Sequence, residues 1–354
     1  MTNITPSENK SKKSRKRPTQ ADVALLAKVS TGTVSLVLNE NSSRIPISEE
    51  TRMRVLDAVR TIGYTPNPVA QMLAKGSNHL VGVFTYEPIF PYAETDFYYQ
   101  YLVGVEHEAT CCDYNVLLFT RGRNGTERKI FDRGRNTLTL ADGSLLIGTH
   151  TDLRELRRLH DEGYPFVYIG RREVPGCQID WVTSDYVTSS LEATRYLLDL
   201  GHRRFGFVFD NPEHESTIDR LAGCRSAITD QSSADVILIQ TDQLNDVDEF
   251  RRIVTKNGIT AIFTTSLLGA DLLMPLVHQA GFSVPGDLSI IGLGDGYRIT
   301  HTQLHLTQVK LNRQLVGAAA MRALLDRLEG KASSPQHILV PCELILGDTT
   351  SSSH

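Results

Sequence analysis

Six cations fall within eight positions near the start of this 354-residue chain: Lys10, Lys12, Lys13, Arg15, Lys16 and Arg17. Cations of this kind neutralise phosphates without reading a base sequence. Taken alone, the run reads first as a solvated tail. Downstream, Thr31, Gly32, Ser35 and Leu36 fall on one face of a short helical stretch. A small three-helix domain needs no DNA to exist, so this pattern alone leaves the function open, while the adjoining basic run and the glycine on an exposed face favour DNA. Enzyme chemistry finds no comparable pattern. Eleven histidines are scattered without HExxH, no GxSxG elbow occurs, and Gly292-Leu293-Gly294-Asp295-Gly296 misplaces the third glycine of a dinucleotide loop. His202, just before a strand, reads as a structural hydrogen-bonding residue. Five cysteines (111, 112, 177, 224 and 342) lack CxxC or Cys/His metal spacing, which predicts reduced thiols. No catalysis, cofactor or metal is expected.

The elements that carry these residues differ sharply in charge. Residues 1–75 hold 12 Lys/Arg against 6 Asp/Glu, and the rest of the chain holds 25 against 35. A basic head on an acidic body suits a polyanion-binding module joined to a regulatory one. Residues 1–18 read as a disordered basic tail. Over 19–64, Thr19 caps a first helix, Ser30 a second helix to Leu38, and Ser48-Glu49-Glu50 opens a third with apolar Met53, Val55, Leu56, Val59 and Ile62 before Gly63. Residues 65–78 form a linker in which Asn67 and Pro68 start a helix of about two turns, marginal without a partner.

From Leu80 onward, apolar runs such as Leu80–Phe84, Asn115–Phe119, Gly143–Ile147 and Ala261–Thr264 alternate with amphipathic helices. The fold class is therefore α/β, with parallel sheets flanked by helices in two lobes. No apolar run is long enough to span a membrane and no apolar leader precedes the basic tail, so a cytoplasmic location is expected.

Asp22-Val23-Ala24, Val29-Ser30-Thr31-Gly32-Thr33-Val34-Ser35-Leu36-Val37-Leu38-Asn39, Ser48-Glu49-Glu50-Thr51-Arg52, Gly63-Tyr64 and Pro66-Asn67 with Ala70 and Leu73-Ala74 form one ordered series. Together they resemble the DNA-binding head of the lactose/galactose repressor family. The likeness continues through Val81-Gly82-Val83, Leu200-Gly201-His202-Arg203-Arg204, Arg220-Leu221-Ala222-Gly223 and Ile291-Gly292. It implies a helix-turn-helix head, a hinge helix and a two-lobed core like that of periplasmic binding proteins. The core is expected over 79–350, with an N-lobe of about 79–178 and 309–330 and a C-lobe of about 179–308 and 331–350.

The resemblance further implies a homodimer on a pseudo-palindromic operator, with Thr19, Ser30, Thr31, Gly32, Thr33, Ser35, Leu36, Asn39, Arg44, Asn67, Ala70 and Leu73 at the DNA. Leu73 takes the place of the leucine that wedges into the central minor groove. Leu36 stands where the family commonly has an arginine, so bidentate guanine readout is lost there. Leu36 either touches a thymine methyl or tucks inward. Modest direct readout is expected, with DNA shape carrying more of the specificity.

In the cleft, the likeness places Tyr98 on a ligand ring and Arg220 on its hydroxyls or carboxylate, while Phe97 and Tyr99 belong to the core. Tyr86, ending the first strand, is a further candidate. Ser266-Leu267 and Gly294 replace polar groups common in the family, which leaves Ser266 and Asp295 and points to a ligand that is less sugar-like or held through fewer polar contacts. The expected function is a transcription regulator, a repressor of a metabolic operon controlled by a small sugar-like effector. A periplasmic-type binding protein and an activator with a vestigial pocket stand as alternatives.

Overall fold

The computed structural model describes residues 18–38, 47–65, 78–87, 98–121, 128–229, 231, 233–265, 267–294 and 304–353, without the side chains of 267–272. The chain divides after Asn78 into two compact units.

The first unit is a small helical head. Helix α1 (Gln20–Ala27) starts in a capping box: Thr19 accepts from the Asp22 amide, and the Asp22 carboxylate takes the Thr19 amide at 2.7 Å. It stops at Lys28, whose φ of 54° is left-handed, and the chain turns by 103° into α2 (Thr31–Leu38). Ser30 caps α2 by accepting from the Thr33 amide at 3.0 Å. Helix α3 (Glu49–Ile62) is capped by Ser48, carries Glu49 and Glu50 in its first turn and ends at Gly63 with φ 64°. Val23, Ala27, Val34, Val37, Val55 and Ala58 interlock to bury one core. Met53, expected on the apolar face of α3, is instead 48% exposed, because Val55, Ala58 and Val59 carry the inner face.

The second unit holds two six-stranded sheets. In chain order its elements are β1 (Leu80–Phe84), α4 (Tyr99–Cys111), β2 (Asn115–Phe119), β3 (Phe131–Asp132), β4 (Arg135–Asn136), β5 (Gly143–Ile147), α5 (Leu153–Asp161), β6 (Phe166–Ile169), β7 (Asp180–Ser184), α6 (Tyr186–Asp199), β8 (Arg204–Phe209), α7 (Glu215–Ile228), β9 (Asp235–Gln240), α8 (Val247–Asn257), β10 (Ala261–Thr264), α9 (Leu267–Gln279), β11 (Ser289–Gly292), β12 (Thr307–Lys310), α10 (Arg313–Leu328), β13 (His337–Val340) and β14 (Glu343–Ile345). The first sheet runs β13-β7-β6-β5-β1-β2 and the second β14-β12-β11-β10-β8-β9. Every pairing in them is parallel except β12 with β14, while β3 and β4 form a separate antiparallel pair.

Helices cover both faces of each sheet, which is why the central strands are apolar throughout. In the first lobe, Val81, Val83, Leu145 and Val167 meet α4 and α10 through Val105, Met321 and Leu324. On the opposite face, Phe84, Leu146 and Tyr168 meet Leu156 and Leu159 of α5. The second lobe repeats the plan, with Phe205, Phe207 and Phe263 facing α6 and α7 and with Ile262 and Ile290 facing α8 and α9. Tyr99, expected in the core, is 58% exposed on the outer side of α4.

The chain passes between lobes at 185, 311–312 and 341–342, and this corrects the lobe limits expected from sequence. Residues 180–184 and 337–340 belong to the first sheet, while 307–310 stay in the second. Strands β7, β12 and β13 were illegible as strands because Asp-Trp-Val-Thr-Ser, Thr-Gln-Val-Lys and His-Ile-Leu-Val are short and mix polar with apolar residues. Among the described residues, no single helix is long and apolar enough to cross a membrane.

Candidate functional site

In the head, α2 turns Val34 and Val37 inward and leaves Thr31 and Gly32 exposed, with Thr33, Ser35 and Leu36 half-buried. Leu36 is half-buried and is not among the described residues packed on the head's apolar cluster. The hydroxyls of Ser30 and Thr33 are 2.9 Å apart and Ser30 also caps the helix, while Thr19 is bound to Asp22. These three are occupied in holding helix ends. Thr31 and Gly32 are the open part of the face. Asn39, Arg44, Asn67, Ala70, Leu73, Ser266, Asp295 and the basic run 10–17 lie outside the described residues.

In the second unit, a cavity of about 490 Å³ opens between the two lobes at the carboxyl ends of their strands, the place where doubly wound sheets bind ligands. Gly148-Thr149-His150 follows β5, Gly170-Arg171-Arg172 follows β6, Asp210-Asn211 follows β8, and Thr265 follows β10. Gly170 has φ 111°, a conformation that side-chain-bearing residues avoid, and it swings the two arginines off the end of β6.

Those arginines reach across the cleft. Arg171 grips Asp219 on α7 with two bonds, Nε to Oδ2 at 3.0 Å and Nη2 to Oδ1 at 2.8 Å, and also pairs with Glu173. Arg172, 5% exposed, donates to Glu215 at 3.0 Å and to the Gly148 carbonyl at 2.7 Å, and its guanidinium lies 4.7 Å from the Tyr168 ring centre. Glu215 and Asp219 are one helical turn apart, so a single face of α7 meets both arginines.

Arg220 lines the cavity as expected, 6% exposed. Its Nε donates to the Leu293 carbonyl at 2.7 Å, Nη1 donates to the Ser216 carbonyl at 3.2 Å, and its plane lies 4.0 Å over the Tyr186 ring. His214 caps α7, its Nδ1 accepting from the Ser216 amide at 3.2 Å. Burial, reinforced by the charges of Arg172 and Arg220, lowers its pKa to about 4.

Tyr98 and Tyr86 are not among the cavity residues. The Tyr98 hydroxyl donates to Glu87, and burial followed by this bond raises its pKa. Tyr101, one turn further along α4, meets the cavity instead. Tyr86 packs edge-on against Phe84 at 5.0 Å, and its pKa is raised by burial and then by neighbouring Glu155. Glu87 is a hub that also accepts from the amides of Thr149 and His150 at 3.0 and 2.7 Å. Burial pushes its pKa up, but bonds from Thr149, Tyr98 and His150 outweigh that and hold it at about 2.

Sequence reasoning missed Arg171, Arg172, His214, Glu215 and Asp219. A Gly-Arg-Arg step ending an apolar run, and two acids four residues apart beside Arg220, were the available signals. His202 is the structural residue expected: its ring nitrogens meet Thr260 Oγ1 at 2.8 Å and the Ser351 carbonyl at 2.9 Å. Among the described residues, no group of three or more His, Cys, Asp or Glu could hold a metal ion.

Residues 19–67 match the bacterial regulatory proteins of the lacI family, and residues 194–350 match the periplasmic binding protein-like domain. The transcriptional regulator CelR of Thermobifida fusca is 28% identical over 341 residues, covering 95% of this chain and 99% of that protein. Catabolite control protein A of Priestia megaterium is 29% identical over 330 residues, covering 90% and 95%. In structure, the lac repressor dimer bound to operator and the anti-inducer ONPF matches with a TM-score of 0.71 at 22% identity, over 95% of this chain and 100% of that one.

A helix-turn-helix head joined to a two-lobed, periplasmic-binding-protein-like core defines a DNA-binding transcriptional regulator rather than an enzyme. The chain belongs to the LacI/GalR family.

Proposed function

We propose that this regulator binds a pseudo-palindromic operator as a homodimer in the cytoplasm, represses a metabolic operon, and is controlled by a small molecule held between its lobes. The observation that carries the reading is the cavity of about 490 Å³ at the strand ends, walled by both lobes and bridged by Arg171–Asp219 and Arg172–Glu215. A ligand there changes the lobe arrangement only through its different affinity for the open and closed forms. The linker 65–78 would carry that difference to the head, because a two-turn helix forms only when held. At the DNA, Thr31, Gly32, Ser35 and Leu36 meet the major groove, Asn67, Ala70 and Leu73 the centre of the operator, and Arg44 and the basic tail the phosphates.

A protein of this fold, the transcriptional regulator CelR, forms a complex with cellobiose, which supports a small-molecule effector here. Fluorescence anisotropy with an operator selected from random duplexes tests the reading. Binding should be salt-sensitive and half-site-dependent, and Arg220→Ala should abolish its response to effector while leaving operator affinity intact. Equal binding to a single half-site and to the full inverted repeat would refute dimeric recognition.

A further inference from the structure

Around the cavity, many acceptors of the described residues are already engaged. Acceptors that a neutral polyol would need are already taken: Asp219 by Arg171, Glu215 by Arg172, the Gly148 and Thr149 carbonyls by Arg172, and the Leu293 and Ser216 carbonyls by Arg220. Asp210, on the same rim, has one carboxylate oxygen engaged by the Thr241 hydroxyl. What remains on offer is the reverse. Arg220 uses its Nε–H and one Nη1–H, and among the described residues no carboxylate pairs with it. His214 receives the Ser216 amide at Nδ1, so its neutral ring carries the proton on Nε2. That nitrogen is buried without a partner. Burial first, and then the charges of Arg172 and Arg220, keep the ring neutral.

We propose that the effector is an acid, bearing a carboxylate or a phosphate ester, and that its anionic group is bound by Arg220 with His214 donating from Nε2. A buried guanidinium with no carboxylate partner among the described residues is costly, and an anionic ligand supplies such a partner. Glu215 and Asp219 already show how carboxylates settle on the neighbouring arginines. The inference rests on the cavity being the effector site.

The test uses the full-length chain and four probes at constant ionic strength: inorganic phosphate, gluconate, glucose 6-phosphate and glucose, followed by thermal shift and titration calorimetry. The three anions should stabilise the protein and glucose should not, and preference between gluconate and glucose 6-phosphate assigns the acid to carboxylate or phosphate. Arg220→Gln should weaken anion binding by about thirtyfold or more. His214→Asn keeps a capping oxygen for α7 while withdrawing the ring donor, so it separates ligand binding from folding.

Glucose bound through Arg220 with anions ignored overturns the acid and leaves the effector cavity standing. Anion binding unchanged in both variants overturns the subsite, and no protection by any probe overturns the acid as well. Loss of operator binding in the unliganded wild type is the separate failure of the regulator reading.

Discussion

Arg171 and Asp219, 48 positions apart in sequence, meet as a two-pronged ion pair across the interlobe cleft, each side chain 17% exposed. With Arg172–Glu215 beside it, the pair joins the end of β6 to the first turns of α7 and so links the two lobes. Such a pair gains little net stability over an apolar replacement, because desolvation offsets the attraction, yet removing one partner strands the other. Asp219→Ala should therefore cost about 3 kcal/mol in urea unfolding, and adding Arg171→Met should recover a large part of it. A double-mutant cycle with a coupling near zero would remove the pair from any role in closure.

Lys28 adopts φ 54° at the end of α1, a conformation that costs a residue with a Cβ about 1 kcal/mol. Lys28→Gly should stabilise the head by roughly 0.5–1 kcal/mol. Thermal unfolding of the head signal, followed by circular dichroism, measures it. A lower melting temperature would show that the lysine side chain contributes more than the backbone strain removes.

Direct readout from α2 is expected to be modest. Thr31→Ala with Ser35→Ala should leave the ranking of operator variants unchanged, each lost hydrogen bond costing about 1 kcal/mol. Leu73→Ala should erase the preference at the operator centre. Competition binding against central-step and outer-position base changes decides between the two, and the opposite pattern sinks the emphasis on DNA shape.

Glu87 has its pKa lowered from 4.5 to about 2 by hydrogen bonds in the folded state. Its contribution is present above the unfolded value and is lost as pH falls through the folded one, so the window is about pH 4.5 to 2. Glu87→Gln should lower stability at pH 7 by about 2 kcal/mol, with partial exposure limiting the effect. It should also flatten the acid limb of stability against pH. Urea unfolding at stepped pH gives both numbers, and parallel limbs for the two proteins would contradict the assignment.

The head and the central strands were legible in the chain itself. Thr19, Ser30, Ser48 and Gly63 mark helix ends through contacts within a few residues, and the runs Leu80–Phe84 and Ala261–Thr264 are apolar because both faces are covered. Local bonding and burial leave their mark in contiguous residues, and that also sufficed for the family. The cavity is different. Its walls come from strand ends far apart in the chain, so which side chains meet depends on how two sheets and three crossovers arrange them. Tyr98 is the clearest case: its type and position suited a ligand, but Glu87 captures its hydroxyl and Tyr101 lines the cavity in its place. The partners of Arg171 and Arg172 were likewise decided by folding alone, since a carboxylate 43 or 48 residues away finds an arginine only after the lobes close.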